Sequence, residues 1–121
     1  MKFGSGAFDG SYSFVSRFEE GEGTNPEELI GAAHSACYSM ALAAGLGGSG
    51  FSPESVQTSA RVTIEKEEAG FRITLIELDC EARVPGIDEK AFQEHAEATK
   101  IGCPVSQALS ATPVKLSAKL V

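Results

Sequence analysis

Apolar and polar residues alternate with period two where Val56, Thr58, Ala60, Val62 and Ile64 face Gln57, Ser59, Arg61, Thr63 and Glu65. That pattern predicts a strand buried on one face. Glu67-Glu68-Ala69-Gly70 supplies a hairpin turn, and the acidic run Glu65 to Glu68 reads as its wet tip. On the return, Phe71, Ile73 and Leu75 hold one parity, whereas Ile76, Leu78, Cys80, Ala82 and Val84 hold the other. One extra residue near 75–76 restores a common face, so a bulge is expected there, with Cys80 on the core side as a packed thiol. Val114, Leu116, Ala118 and Leu120 alternate with Lys115, Ser117 and Lys119, which predicts another half-buried strand.

Between residues 24 and 42 the period changes. Asn25 reads as a helix N-cap, Pro26 as the first helical residue and Glu28 as a capping-box partner. Leu29, Ile30, Ala32, Ala33, Ala36, Cys37, Met40, Ala41 and Leu42 cover nearly the whole circumference, so this helix is expected in the interior. Gly45, Gly47 and Gly48 stop it. Asp88 caps a second helix through about Thr99, with Phe92 and Ala96 inward, and a short helix follows from Pro104 to Leu109. Residues 1–16, rich in Gly and Ser with interspersed aromatics, suggest one short strand. The expected architecture is an α+β domain over 1–121, its antiparallel sheet wrapped around the central buried helix.

Composition narrows the partners more than the fold. The 121 residues carry a net charge of −7, which argues against nucleic acid and anionic membranes, since both call for clustered cations. No apolar run reads as a membrane span and no signal peptide opens the chain, so a cytoplasmic location is expected. Three cysteines are an odd count for a secreted disulfide framework. In a reducing compartment a spaced pair is more often catalytic or metal-binding.

A cysteine halfway along a buried helix is by default a small apolar residue. Cys37 gains interest from Gly102-Cys103-Pro104-Val105-Ser106-Gln107, where Pro104 at a first helical position makes Cys103 the cap residue, a setting that lowers a thiol pKa. These two stretches, with Arg17-Phe18-Glu19, Ala69-Gly70-Phe71 and Val84-Pro85-Gly86-Ile87-Asp88, closely resemble the osmotically inducible protein C (OsmC) family and its organic hydroperoxide resistance (Ohr) relatives, the OsmC branch best. Members of that family usually begin with about twenty further residues that supply a first strand, so the expectation is either a naturally short form or a missing N-terminal stretch, with the outer edge of the sheet left open.

The resemblance implies an OsmC-like fold and a cysteine-based hydroperoxide reductase without metal, haem or flavin, and suggests an external dithiol of the lipoyl type as the reductant that resets it. Cys37 would be the peroxidatic thiol and Cys103 the resolving one. One sulfur attacks the O–O bond and becomes a sulfenic acid, which the other condenses to a disulfide. Because burial in an apolar helix raises a thiol pKa, a cation has to approach Cys37. The resemblance supplies Arg17 as that cation and Glu27 as the carboxylate holding it, in a bidentate pair. Glu27 and Cys37 lie ten residues apart on one helix, about 15 Å at ~1.5 Å per residue, so they cannot meet within one chain. A single site then requires a second copy, with antiparallel central helices in an intertwined homodimer.

His34, one turn before Cys37, raises the thought of a metal site with the two cysteines, but without CxxC spacing a hydrogen-bonded core histidine is the better reading. His95, between Glu94 and Glu97, reads as solvated. Two rivals remain for the function. One is a non-catalytic dimeric module binding an apolar ligand, and the other is a redox sensor whose disulfide signals to a partner. Repeated peroxide consumption with a dithiol separates the enzyme from both.

Overall fold

The computed structural model describes residues 1–121. Three helices, α1 (Pro26–Gly48), α2 (Glu89–Gly102) and α3 (Pro104–Ala108), combine with three strands, β1 (Ser55–Glu67), β2 (Gly70–Arg83) and β3 (Val114–Leu120). The sheet order is β1-β2-β3. β1 and β2 form the expected antiparallel hairpin, but β3 runs parallel to β2, so the sheet is mixed and the expectation of an antiparallel one is corrected. The physical reason is the connection: α2 and α3 carry the chain back along the sheet, so β3 enters in the same direction as β2.

The bulge falls at Thr74. Thr63 pairs with Leu75 and Ile64 with Ile73, which leaves Thr74 as the extra residue, next to the expected position. Its effect is the predicted one. Ile76, Leu78, Cys80 and Ala82 are buried on the face that meets Tyr38, Leu42 and Leu46 of α1 and Phe92 of α2. Ala96 is likewise fully buried on α2. Across the core the Tyr38 hydroxyl donates to the Ala96 carbonyl at 3.0 Å, which ties α1 to α2.

Burial pushes the Cys80 thiol up from its ordinary value near 9, in the dry core to which the parity of β2 assigns it as a packed thiol. Above that value the unfolded thiol ionises while the folded one still holds its proton, so this contribution to stability is complete below about pH 9 and shrinks as pH rises. Denaturant unfolding at pH 7 and pH 10 should therefore show a larger alkaline loss for the native sequence than for Cys80→Ala. Equal losses would place the Cys80 sulfur in contact with water.

α1 starts as its sequence predicts. The Asn25 side chain accepts from the Glu28 N–H at 2.8 Å with Pro26 at the first helical position. The Glu28 carboxylate, however, takes the Thr24 hydroxyl instead of closing a reciprocal box on Asn25. The helix also runs through Gly45 and Gly47 to Gly48, and the chain turns only at Gly50, where φ is +90°.

The covering of α1 departs most from expectation. Gly31, His34, Tyr38, Leu42 and Leu46 form its buried stripe, whereas Ala32, Ala33 and Ala36 are exposed and Met40 is 73% exposed. One chain thus covers one stripe of a helix whose apolar residues extend nearly all round it. Gly31 lets the helix approach β1 closely, since a Cβ there would lie 3.4 Å from the Val62 side chain. The expectation that no segment suits a membrane is also corrected, because α1 has the length and a mean hydropathy of 1.3 to cross one. Its buried stripe faces the sheet, as in the core helix of a globular domain.

Residues 1–24 form no strand, but isolated bridges from Lys2 to Asp9 and from Tyr12 to Thr24 and a single 3-10 turn, Val15–Arg17. At Gly23, with φ at +84°, a Cβ would come within 2.3 Å of the Ser11 carbonyl oxygen, so only glycine permits this approach. The result is to hold the turn containing Ser16 and Arg17 against the start of α1. Asn25 Nδ2 donates to the Ser16 carbonyl at 3.1 Å, and the Ser16 hydroxyl donates to the Thr24 carbonyl at 3.1 Å.

Candidate active site

The four residues singled out from sequence form two pairs. Pinned by the Ser16 contacts, Arg17 reaches the first turn of α1 and donates from Nε to Glu27 Oε2 at 3.0 Å. This is a single hydrogen bond, not the bidentate fork expected, and the terminal guanidinium nitrogens make none within the chain. Glu27 is 8% exposed although charged, which fits a carboxylate whose burial is compensated by its partner. Phe14 lies under the guanidinium at 5.7 Å and continues into Phe18 and Phe71, whose rings are 5.2 Å apart. All three rings are about half exposed, so the cation borders an uncovered aromatic surface.

The second pair stands further along the helix. Cys37 is partly exposed in an apolar depression lined by Ala33, Ala36, Met40, Ala41 and Pro104. Cys103 and the Val105 backbone are its polar neighbours, and neither cysteine is joined in a disulfide. Burial is the largest influence on Cys37 and pushes its thiol up, Cys103 adds to the rise, and the Val105 contact opposes it. No cation of its own chain contributes. Cys103 caps α3 as expected, its sulfur accepting from the Ser106 N–H at 3.3 Å.

Arg17 and Glu27 therefore do not reach Cys37 within the chain. Ten residues of uninterrupted α1 separate the two pairs by about 15 Å along the axis. Glu27 and Arg17 border a different cleft, with Gly31, Ser35, Val62 and Ile64.

His34 is fully buried and its Nε2 lies 2.7 Å from the Ser106 hydroxyl, which agrees with a hydrogen-bonded core histidine. Burial lowers its pKa, so the ring is neutral near pH 7. Nowhere do three His, Cys, Asp or Glu side chains converge as a metal would need. Sequence reasoning passed over Ser106 and the aromatic residues around Arg17. The first was signalled by its place three residues after a cap, and the second by Phe14 and Phe18 flanking the arginine.

A partly exposed cysteine whose polar neighbour is a second, buried one is an arrangement suited to thiol redox chemistry. Residues 19–119 match the model of the OsmC-like protein family, and the chain belongs to that family. It is 56% identical over 100 residues to proteins named peroxiredoxin OsmC from Escherichia coli and Shigella flexneri, a stretch covering 83% of this chain and 70% of theirs. Among solved structures, an organic hydroperoxide resistance protein OsmC from Legionella pneumophila superimposes with a TM-score of 0.78 at 24% identity, over 98% of this chain and 87% of that one. Another organic hydroperoxide resistance protein, from Elizabethkingia anophelis, gives 0.76 at 27% identity over 99% and 86%. By this kinship the chain is a cysteine-based peroxidase.

Proposed function

We propose that the protein reduces organic hydroperoxides, with Cys37 as peroxidatic thiol, Cys103 as resolving thiol, and Arg17 and Glu27 contributed to each site by a second copy of the chain. The observation that carries this reading is the pair of half-sites on α1. A thiol that burial pushes up has no cation of its own, and a guanidinium with two unused nitrogens is held by Glu27, ten residues or about 15 Å away along the same helix. Two α1 helices packed antiparallel through Ala33, Ala36 and Met40 would bring each half to the other and cover the exposed apolar face.

In the assembled site the guanidinium stabilises the Cys37 thiolate and polarises the peroxide. The thiolate attacks the distal oxygen, the O–O bond breaks, and the alcohol leaves after taking up a proton. Cys103 then displaces water from the sulfenic acid, and an external dithiol, of the lipoyl type or similar, reduces the disulfide in the cytoplasm.

Phe14, Phe18 and Phe71 beside Arg17 favour substrates with an apolar body. With dihydrolipoamide as reductant, kcat/KM for cumene hydroperoxide should exceed that for hydrogen peroxide by about tenfold or more, because burying an apolar ring is worth roughly 1.5–3 kcal/mol. Equal values would remove the aromatic surface from substrate recognition. Consumption that stops after one equivalent would make the protein a sensor, and none at all would end the peroxidase reading.

A further inference from the structure

We propose that Ser106, oriented by His34, donates the hydrogen bond that meets the negative charge developing on the Cys103 sulfur when it resolves oxidised Cys37. The inference rests on the two-cysteine reading above and extends it to residues that reading leaves idle. His34, Ser106 and Cys103 form a continuous buried line: His34 Nε2 is 2.7 Å from Ser106 Oγ, and Ser106 Oγ is 3.2 Å from Cys103 Sγ. All three residues are at most 6% exposed.

The direction of donation follows from the other ring nitrogen. His34 Nδ1 is buried without any hydrogen-bond partner. An orphaned N–H in such a place is rarer and more costly than an orphaned acceptor, so the proton of the neutral ring belongs on Nε2. His34 then donates to Ser106 Oγ, which also accepts from the Cys103 thiol while that sulfur holds its proton, and once the proton leaves the serine proton is free to turn to Cys103 Sγ. With the Ser106 N–H at 3.3 Å, two donors from one residue converge on that sulfur. Burial, which lowers the His34 pKa, keeps the ring in this neutral form.

The step balances within the site. The Cys103 S–H bond breaks and its proton passes to the hydroxyl leaving Cys37, an S–S bond forms as the S–O bond breaks, and one water departs. As S–H breaks, charge accumulates on Cys103 Sγ in a pocket closed to solvent, where hydrogen bonds to a charged acceptor are strong. Ser106 touches the reacting sulfur and is a catalytic residue for resolution. His34 acts through it and is a positioning residue.

The test is a single turnover of the reduced full chain with one equivalent of cumene hydroperoxide. The Cys37 sulfenic acid is trapped with dimedone and the Cys37–Cys103 disulfide is followed by mass spectrometry. Ser106→Ala should leave the rate of sulfenic acid formation within about twofold and slow disulfide formation about tenfold or more, and Ser106→Thr should restore most of it. His34→Leu should slow the same step about threefold to tenfold, and His34→Gln, which keeps an N–H donor, should restore it. In a Ser106→Ala background, His34→Leu should add nothing further, because its effect runs through the serine. Disulfide formation at the native rate in both Ser106→Ala and His34→Leu would overturn the proposal, as would additive slowing in the double variant. If neither the native chain nor Cys103→Ser, whose sulfenic acid has no resolving partner, gives a dimedone adduct at Cys37, the nucleophile assignment fails and the relay falls with it.

Discussion

Cys37→Ser should bring hydroperoxide consumption down to the uncatalysed rate, whereas Cys103→Ser should consume a first equivalent quickly and then fail to turn over, taking further peroxide only through slow overoxidation of Cys37. The difference follows from what each sulfur meets. Cys37 is the partly exposed one, in an apolar depression open to a second molecule, and Cys103 is 1% exposed behind it. Only Cys37 can be reached by a peroxide first. A serine hydroxyl in its place ionises far too weakly to attack an O–O bond, so no residual turnover is expected. With Cys103→Ser the attack proceeds, but the sulfenic acid has no partner, since Cys80 lies in the core beside Thr58 and not at the site. Excess peroxide then carries Cys37 on to sulfinic acid. Quantifying peroxide loss over the first equivalent, with intact mass for the added oxygens, separates the two variants. Full turnover in Cys37→Ser would assign the nucleophile elsewhere.

Mixing two inactive chains should regenerate activity if the site is shared between subunits. In a heterodimer of Arg17→Ala with Cys37→Ser, one site receives an intact Cys37 from the first chain and an intact Arg17 from the second. Its counterpart receives both defects. Random exchange of equal amounts gives half heterodimers, each with one working site of two, so about a quarter of native activity is expected. Each parent alone should be down by about 10²-fold or more, the scale for losing a charged group aimed at a reacting centre. Exchange requires partial unfolding, because an interface built from the exposed Ala33, Ala36 and Met40 surface would not open readily. Heterodimers shown by mass spectrometry to be present yet inactive would mean that Arg17 and Cys37 act within one chain, against the separation imposed by α1.

Local chemistry determined much of this protein. Period-two alternation placed β1, β2 and β3, and the parity change placed the bulge within two residues of Thr74. Asn25, Asp88 and Cys103 mark their helix starts through side chains that accept from N–H groups three residues on. The two cysteines and the Arg17–Glu27 pair were singled out by a family resemblance, and of these the structure shows Arg17 bonded to Glu27.

Long-range packing decided the rest. Alternation says which face of β3 is buried, but not which edge it joins or in which direction, and the parallel pairing with β2 comes from the route taken by α2 and α3. The all-round apolar pattern of α1 cannot say which stripe meets the sheet, and Gly31, with no side chain to hold the strand away, contributes to that choice. His34 and Ser106 lie 72 positions apart, and no periodicity in either segment encodes their 2.7 Å contact. Such a contact exists only after α1 and α3 have packed, because a hydrogen bond depends on where two side chains end up in space, whereas sequence pattern specifies only the face each element turns inward.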